Sequence, residues 1–307
     1  MGELIKHLKP NFFIPGAAKS GTTTLHDILN THPEISMSSI KEPGYWKNKN
    51  FNEFGSTEII NYQNLFIKTR KIKGESSTAY MYYDRFINNI KNNYEEPPKF
   101  IFILRNPIDR YISHVNWMKG LGLEKNKLGE IINISAEFNF KEYNDYPKYY
   151  YEFGLYYRWI KRFLNDFGND NIKIITFEKL LKNKLSTINE CFDFIGVRPL
   201  NKIKEINSNK TREIVFPSAY HFIRKSFSGK MKYTKIGKYF LPKKIRTIIK
   251  GLIKFAIKNW ISIESKKQKV SNKHRKILRE KYYEDVKALK KELNYDFPEW
   301  EDFKINQ

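Results

Sequence analysis

Residues 15–25 read Pro-Gly-Ala-Ala-Lys-Ser-Gly-Thr-Thr-Thr-Leu and follow the apolar run Phe12-Phe13-Ile14. The pattern predicts a strand, a glycine-bearing loop and the first turn of a helix. Such a turn gathers unpaired backbone N–H groups and the positive end of a helix dipole at one spot, which suits an anion. Lys19 adds a full charge within the loop, and Thr22, Thr23 and Thr24 add hydroxyl donors on the first helical turn. The chemistry served is the binding of a phosphate-like group. The loop is not the ATP pattern G-x-x-x-x-G-K-[ST], where the lysine follows the second glycine. Here Lys19 precedes Gly21, and a threonine run follows.

A second constellation lies at 99–118, KFIFILRNPIDRYISHVNWM. Phe100 to Leu104 is continuously apolar, as a strand buried on both faces of a parallel sheet must be. Arg105 falls at its carboxyl end, where open α/β sheets bind ligands. Pro107 suits a first helical position, with Asp109 near the positive end of that helix. Ser113 follows Arg105 by about two helical turns. An arginine fork meets phosphate oxygens bidentately.

These two segments resemble sulfotransferases that take a sulfuryl group from 3′-phosphoadenosine 5′-phosphosulfate (PAPS), in particular the heparan-sulfate-type and bacterial carbohydrate branch. The resemblance implies that Lys19, Ser20, Gly21, Thr22, Thr23 and Thr24 hold the 5′-phosphosulfate, and that Arg105 and Ser113 grip the 3′-phosphate. It also points to THPEISMSSIKEPGYW, residues 31–46, where the glycan enzymes carry their general base; the matching residue is Glu42. A sugar hydroxyl needs its proton accepted in the transition state. Glu34 to Met37 reads as a short strand with Lys41-Glu42-Pro43 as the loop at its end, and Pro43 is expected to keep the backbone before it extended. The competing reading pairs Glu42 with Lys41 or Lys19 in a structural ion pair. His26, His32 and His114 are the other candidate bases; none lies in the expected loop.

Softer matches follow. Gly74-Glu75-Ser76-Ser77-Thr78-Ala79-Tyr80, after the strand-like Lys71-Ile72-Lys73, resembles the family's acceptor-side loop, which implies that Ser76, Ser77 and Tyr80 touch substrate. The helical stretch from Gly154 to Gly168 resembles a family helix in which Tyr156 approaches the active centre. Ile172 to Glu178 looks like the last parallel strand. Asn207 to Arg212 resembles a late basic loop, with Lys210 and Arg212 meeting the nucleotide. Leu293 to Trp300, LNYDFPEW, resembles the family's C-terminal ending.

With 307 residues, strand-like runs alternate with helical patterns through the first two thirds. The expected class is α/β: a P-loop-like three-layer sandwich, a central parallel sheet flanked by helices, with a helical C-terminal extension. A single sulfotransferase domain is expected over 1–307, with 11–215 as the nucleotide-binding core and 216–307 as a basic helical extension. The one cysteine, Cys191, excludes an internal disulfide and sits in a helical apolar pattern. No Cys/His cluster suggests a metal. No apolar run of about 18 residues and no apolar leader core is present, so a cytoplasmic location is expected.

The net charge is +23, and between Pro217 and Ile263 there are 12 Lys or Arg and no Asp or Glu. Apolar residues from Ile245 to Ile257 fall at helical spacing among these cations. Such a helix can pack on the domain with a solvated basic face, or contact an anionic membrane surface peripherally. Two other function classes compete. A P-loop nucleotide kinase or NTPase shares the strand–loop–helix geometry but lacks a clear strand-end aspartate for Mg²⁺. A nucleic-acid-binding protein is suggested only by charge and 16% aromatics, without a reading module. No metal and no nucleic-acid partner are expected. The acceptor is expected to be a hydroxyl on a glycan or glycolipid, since the Glu42 position favours a carbohydrate hydroxyl over a phenol.

Overall fold

The computed structural model describes residues 9–133, 147–203, 212–214, 262–264 and 270–304. These fall into two compact units. The first takes residues up to Ile112, the described residues 147–203, and Asn272 onward; the second takes Ser113–Ile134 and the described residues between 209 and 271.

The first unit is built on five parallel strands: β1 (Phe12–Gly16), β2 (Ile35–Met37), β3 (Ile72–Ser76), β4 (Lys99–Leu104) and β5 (Ile172–Thr176), in the order β2-β3-β1-β4-β5. Chain order departs in both directions from β1, so its carboxyl end is the switch point where such sheets open a crevice. Helices α1 (Thr22–Leu29), α2 (Ser56–Gln63) and α3 (Asp84–Asn93) connect the first strands. Helix α4 (Pro107–Gly120) follows β4, and the boundary between the units falls within it. Helices α5 (Leu128–Asn133), α6 (Tyr156–Phe167), α7 (Phe177–Lys182), α8 (Lys184–Ile195) and α9 (Asn272–Leu293) complete the described helices. In the second unit β6 (Arg212–Ile214) pairs antiparallel with β7 (Ser262–Glu264).

The strands sort their side chains by parity, as a period of two requires. Phe12, Ile14, Ile101 and Ile103 pack with Leu25, Ile28 and Leu29 of α1 and Ile188, Cys191 and Phe192 of α8. On the opposite face Phe13 lies edge-on to Trp46, Tyr80 and Phe86 and stacks on Phe100. Phe100 and Phe102 meet Phe163 of α6. One face is therefore mostly aliphatic and the other mostly aromatic, with each fully buried ring contributing roughly 1.5–3 kcal/mol. Gly74 is demanded by this packing, because a Cβ there would overlap the Phe12 ring.

Three boundaries differ from the sequence reading. Strand β3 extends through Ser76, because Gly74 and Glu75 continue the ladder with Phe12 and Phe13. Strand β5 stops at Thr176, whose side chain accepts from Lys179 N and caps α7, so Phe177 and Glu178 are helical. Helix α9, within the segment read as an extension, packs in the first unit. Its Asp285 accepts from Tyr157 N (3.1 Å) and Arg158 N (3.2 Å), supplying α6 with the cap that Leu155 lacks. Residues 245–257, read as a basic helix, lie outside the described residues.

Candidate functional site

The loop after β1 builds an anion cradle. Gly21, at φ +94°, is the N-cap of α1 and offers no side chain to its first N–H groups; that first turn holds no acidic residue. The donors of the turn and the helix dipole therefore remain available to an external anion. A Cβ on Gly21 would meet the Phe177 ring at 2.5 Å, so both the space and the left-handed φ require glycine. The loop is tied down by Ala17 N to Ile103 O (2.9 Å) and Ser20 N to Ala17 O (3.2 Å). Ser20 Oγ is buried; Tyr156 Oη is near enough to influence it, yet no hydrogen bond of good geometry forms. A buried hydroxyl in this condition suits a ligand oxygen.

Lys19 sits in this loop at φ +69°, a left-handed conformation unusual for a lysine. Burial first, then the charges of Lys41, Arg105 and Arg110, lower its pKa from 10.5 to about 8. Four cationic groups thus converge electrostatically on one place, which is what a multiply charged phosphate ligand stabilises. Arg110 is fully buried and donates to Tyr150 O. Sequence reasoning missed it, although it stands five residues beyond Arg105 in the same segment.

Arg105 follows the last residue of β4. Tyr156 Oη donates to Arg105 O (2.9 Å) and accepts from Arg105 N (3.4 Å). The Arg105 guanidinium lies over the Phe177 ring, 5.2 Å from its centroid. Asp109 pairs with Arg275 of α9 (2.9 Å). Asn106, next to Arg105, is held by Glu178 Oε1 at its N–H (2.9 Å) and donates its side chain to Asp302 (2.7 Å). Arg275 clasps Asp302, and Trp300 Nε1 donates to Glu178 Oε2 (3.2 Å). Ser113 lies on α4 in the second unit.

Glu42 occupies the loop after β2. Its N–H donates to Ser76 O (2.9 Å), and its carboxylate accepts from Thr78 N (2.8 Å), Thr78 Oγ1 (3.1 Å) and Lys41 Nζ (2.8 Å). The ion pair with Lys41 is thus real, and it leaves the Glu42 side chain 41% exposed. The extended backbone expected before Pro43 is not found: φ at Glu42 is +61°. The tertiary hydrogen bonds to residues 76–78 override the local preference. Tyr82, whose hydroxyl donates to Phe153 O (3.3 Å), feels both the Ala18 backbone and the Glu42 charge, which ties the loops after β1 and β2 to one region.

The residues read as acceptor contacts are buried and internally bonded. Ser76 Oγ pairs with His26 Nδ1 (2.9 Å), Ser77 Oγ with Glu75 and Gly44 N, and Tyr80 Oη with Trp46 N. Burial lowers the pKa of His26 to about 4, so its ring is neutral near pH 7. Lys210 lies outside the described residues; Arg212 opens β6, of which only the backbone is described. Among the described residues no cluster of three or more His, Cys, Asp or Glu could hold a metal, and no helix is long and apolar enough to cross a membrane.

A parallel α/β sheet with an uncapped, lysine-bearing anion loop at its switch point defines a class of nucleotide- or phosphate-handling domain. Residues 9–252 match the family "Sulfotransferase domain", and the chain belongs to that family. It is 24% identical over 262 residues to carbohydrate sulfotransferase 15 of Rattus norvegicus, a match covering 66% of this chain and 46% of that protein. It is 32% identical over 123 residues to a membrane-associated sulfotransferase of Dictyostelium discoideum, covering 36% of this chain and 24% of the relative. The matches thus span less than half the length of these relatives. A sulfotransferase structure from Alicyclobacillus acidocaldarius superimposes with a TM-score of 0.65 at 22% identity, covering 95% of this chain and 98% of that one, and shares its fold.

Proposed function

We propose that this protein is a PAPS-dependent sulfotransferase that moves a sulfuryl group in line onto a hydroxyl of a carbohydrate or glycolipid. The observation that carries the reading is the α1 cradle: a helix N-terminus without a cap, a buried unbonded Ser20 hydroxyl, and Lys19 within the field of three further cations. In this reading the loop from Ser20 to Thr24 receives the 5′-phosphosulfate, and Lys19 neutralises the charge that builds on the departing phosphate. Such preorganised donors are worth roughly 10²–10³ in rate. Arg105 takes the 3′-phosphate, with Ser113 as its second grip, and Lys210 and Arg212 close over the nucleotide. Glu42 accepts the proton of the acceptor hydroxyl. A carbohydrate acceptor is supported by the name of the Rattus norvegicus relative, a carbohydrate sulfotransferase, and by a carboxylate in the position of the base. The chemistry calls on no metal. The segment 217–263 contacts anionic membrane from the cytoplasmic side.

The test has two arms. Calorimetry with 3′,5′-adenosine diphosphate at physiological salt should show binding that a random oligonucleotide does not match and that Lys19→Ala abolishes. Labelled sulfate from PAPS should then pass, with EDTA present, to members of a glycan and glycolipid panel read by mass spectrometry. Transfer by Lys19→Ala at near the wild-type rate would sink the loop assignment, and a strict Mg²⁺ requirement would favour a nucleotide kinase.

A further inference from the structure

Glu75 is fully buried near the end of β3 and has no part in the reaction just proposed. The groups that face it are Tyr62 of α2, Ser77 and Tyr80 of the turn after β3, Tyr94 beyond α3, and Glu42. Its carboxylate accepts from the Tyr62 hydroxyl and from Ser77 Oγ at 2.7 Å. An ionised carboxylate only accepts, and a hydroxyl has one proton to give. Each of these hydroxyls therefore spends its proton inward and turns its lone pairs outward. The 42–46 loop fills those lone pairs: Gly44 N donates to Ser77 Oγ (3.1 Å) and Trp46 Nε1 to Tyr62 Oη (2.9 Å), while Trp46 N is held by the neighbouring Tyr80 Oη (3.1 Å). Two relays of one polarity run from the loop into one carboxylate.

We infer that Glu75 is a positioning residue for Glu42: it is the terminal acceptor that fixes the 42–46 loop and so aims the carboxylate at the loop's head. The consequence for turnover rests on the proposed role of Glu42 as base; the relay itself does not. An amide of the same shape cannot replace Glu75. Whichever hydroxyl met the glutamine NH₂ would have to turn its proton outward, against the N–H of Gly44 or Trp46, and one relay would break. Protonation has the same effect in the wild type, and burial raises the Glu75 pKa to about 7.

The experiment reads the relay and its consequence separately. In ¹⁵N-labelled protein the indole N–H resonance of Trp46, assigned with Trp46→Phe, should titrate near neutral pH, and Glu75→Gln should abolish that titration. A Trp46 resonance that ignores pH in the wild type, or titrates unchanged in Glu75→Gln, overturns the inference. Sulfate transfer from labelled PAPS to 4-nitrophenyl glycosides is then measured for Glu75→Gln, Glu42→Gln and the double variant. Glu75→Gln should lower kcat roughly 10- to 100-fold, the scale of a misplaced catalytic group, without changing affinity for 3′,5′-adenosine diphosphate. In the Glu42→Gln background it should cost nothing further, because it acts through Glu42. Losses that add overturn the positioning role. Undiminished turnover in Glu42→Gln would instead sink the base assignment, while the indole titration would still decide the relay. Should Glu75→Gln fail to fold, Ser77→Ala cuts the Gly44 relay alone and should show the same non-additivity with a smaller loss.

Discussion

Replacing Lys19 by methionine should stabilise the ligand-free protein while abolishing nucleotide binding. The fold holds this ammonium in a place that disfavours its charge, chiefly through burial and then through Lys41, Arg105 and Arg110. A pKa lowered from 10.5 to about 8 corresponds, at ~1.4 kcal/mol per tenfold, to about 3 kcal/mol of destabilisation at pH 7. Between these two values the unfolded chain keeps a proton that the folded chain has shed, so the wild type gains stability as pH rises through the window. The penalty should shrink to about 1.5 kcal/mol near pH ~9.5. Methionine has a similar length and no charge, so Lys19→Met should unfold later in urea by up to about 3 kcal/mol at pH 7. That equals a Tm rise of about 6–12 °C for a domain of this size. The figure is a ceiling, because the variant forgoes whatever the ammonium now bonds. The advantage should narrow at alkaline pH, and calorimetry should find no binding of 3′,5′-adenosine diphosphate. A variant no more stable than the wild type at pH 7, or a difference that ignores pH, would refute the claim that the cradle stores unfavourable charge for a ligand to neutralise.

Glu42→Gln keeps the shape of the side chain and removes its basicity; turnover should fall roughly 10²–10⁴-fold with nucleotide affinity intact, checked by paired transfer assays and calorimetry. Tyr156→Phe removes the hydroxyl that holds both backbone groups of Arg105. It should cost roughly 1–3 kcal/mol in urea unfolding and weaken the preference for 3′,5′-adenosine diphosphate over 5′-AMP; an unchanged preference would separate Tyr156 from the 3′-phosphate grip. Gly74→Ala forces a methyl into the Phe12 ring and should destabilise by roughly 1–3 kcal/mol in the same unfolding assay, whatever the activity.

The parts of this fold that show in the sequence are those written in consecutive residues. Phe12-Phe13-Ile14 and Phe100 to Leu104 are apolar without interruption because both faces of their strands are covered, and the loop holding Lys19 and Gly21 is a local device of a few residues. What stayed hidden depends on distant partners. Nothing near Asp109 announces that it pairs with Arg275, 166 residues away. The left-handed backbone of Glu42 contradicts the rule for a residue before proline, because its conformation is set by Ser76 and Thr78 of another segment. Glu75, Ser77 and Tyr80 read as a polar loop; only the burial of Tyr62 and Trp46 against them reveals a single hydrogen-bonded network.

The bond from Asn106 to Asp302 spans 196 residues and has a consequence for how the protein is made. At a ribosomal pace of about 5–20 residues per second, Asp302 is synthesised roughly 10–40 s after Asn106. Throughout that interval the strand end carrying Arg105 lacks its outer brace of Asp302, Arg275 and Trp300. A nascent chain can close the hydrophobic layers early yet must wait for α9 and the residues after it before the Arg105 corner is clamped. Messages cut short upstream of α9 would then yield folded-looking but slack products, and the cell's proteases would meet that slack at the strand end carrying Arg105.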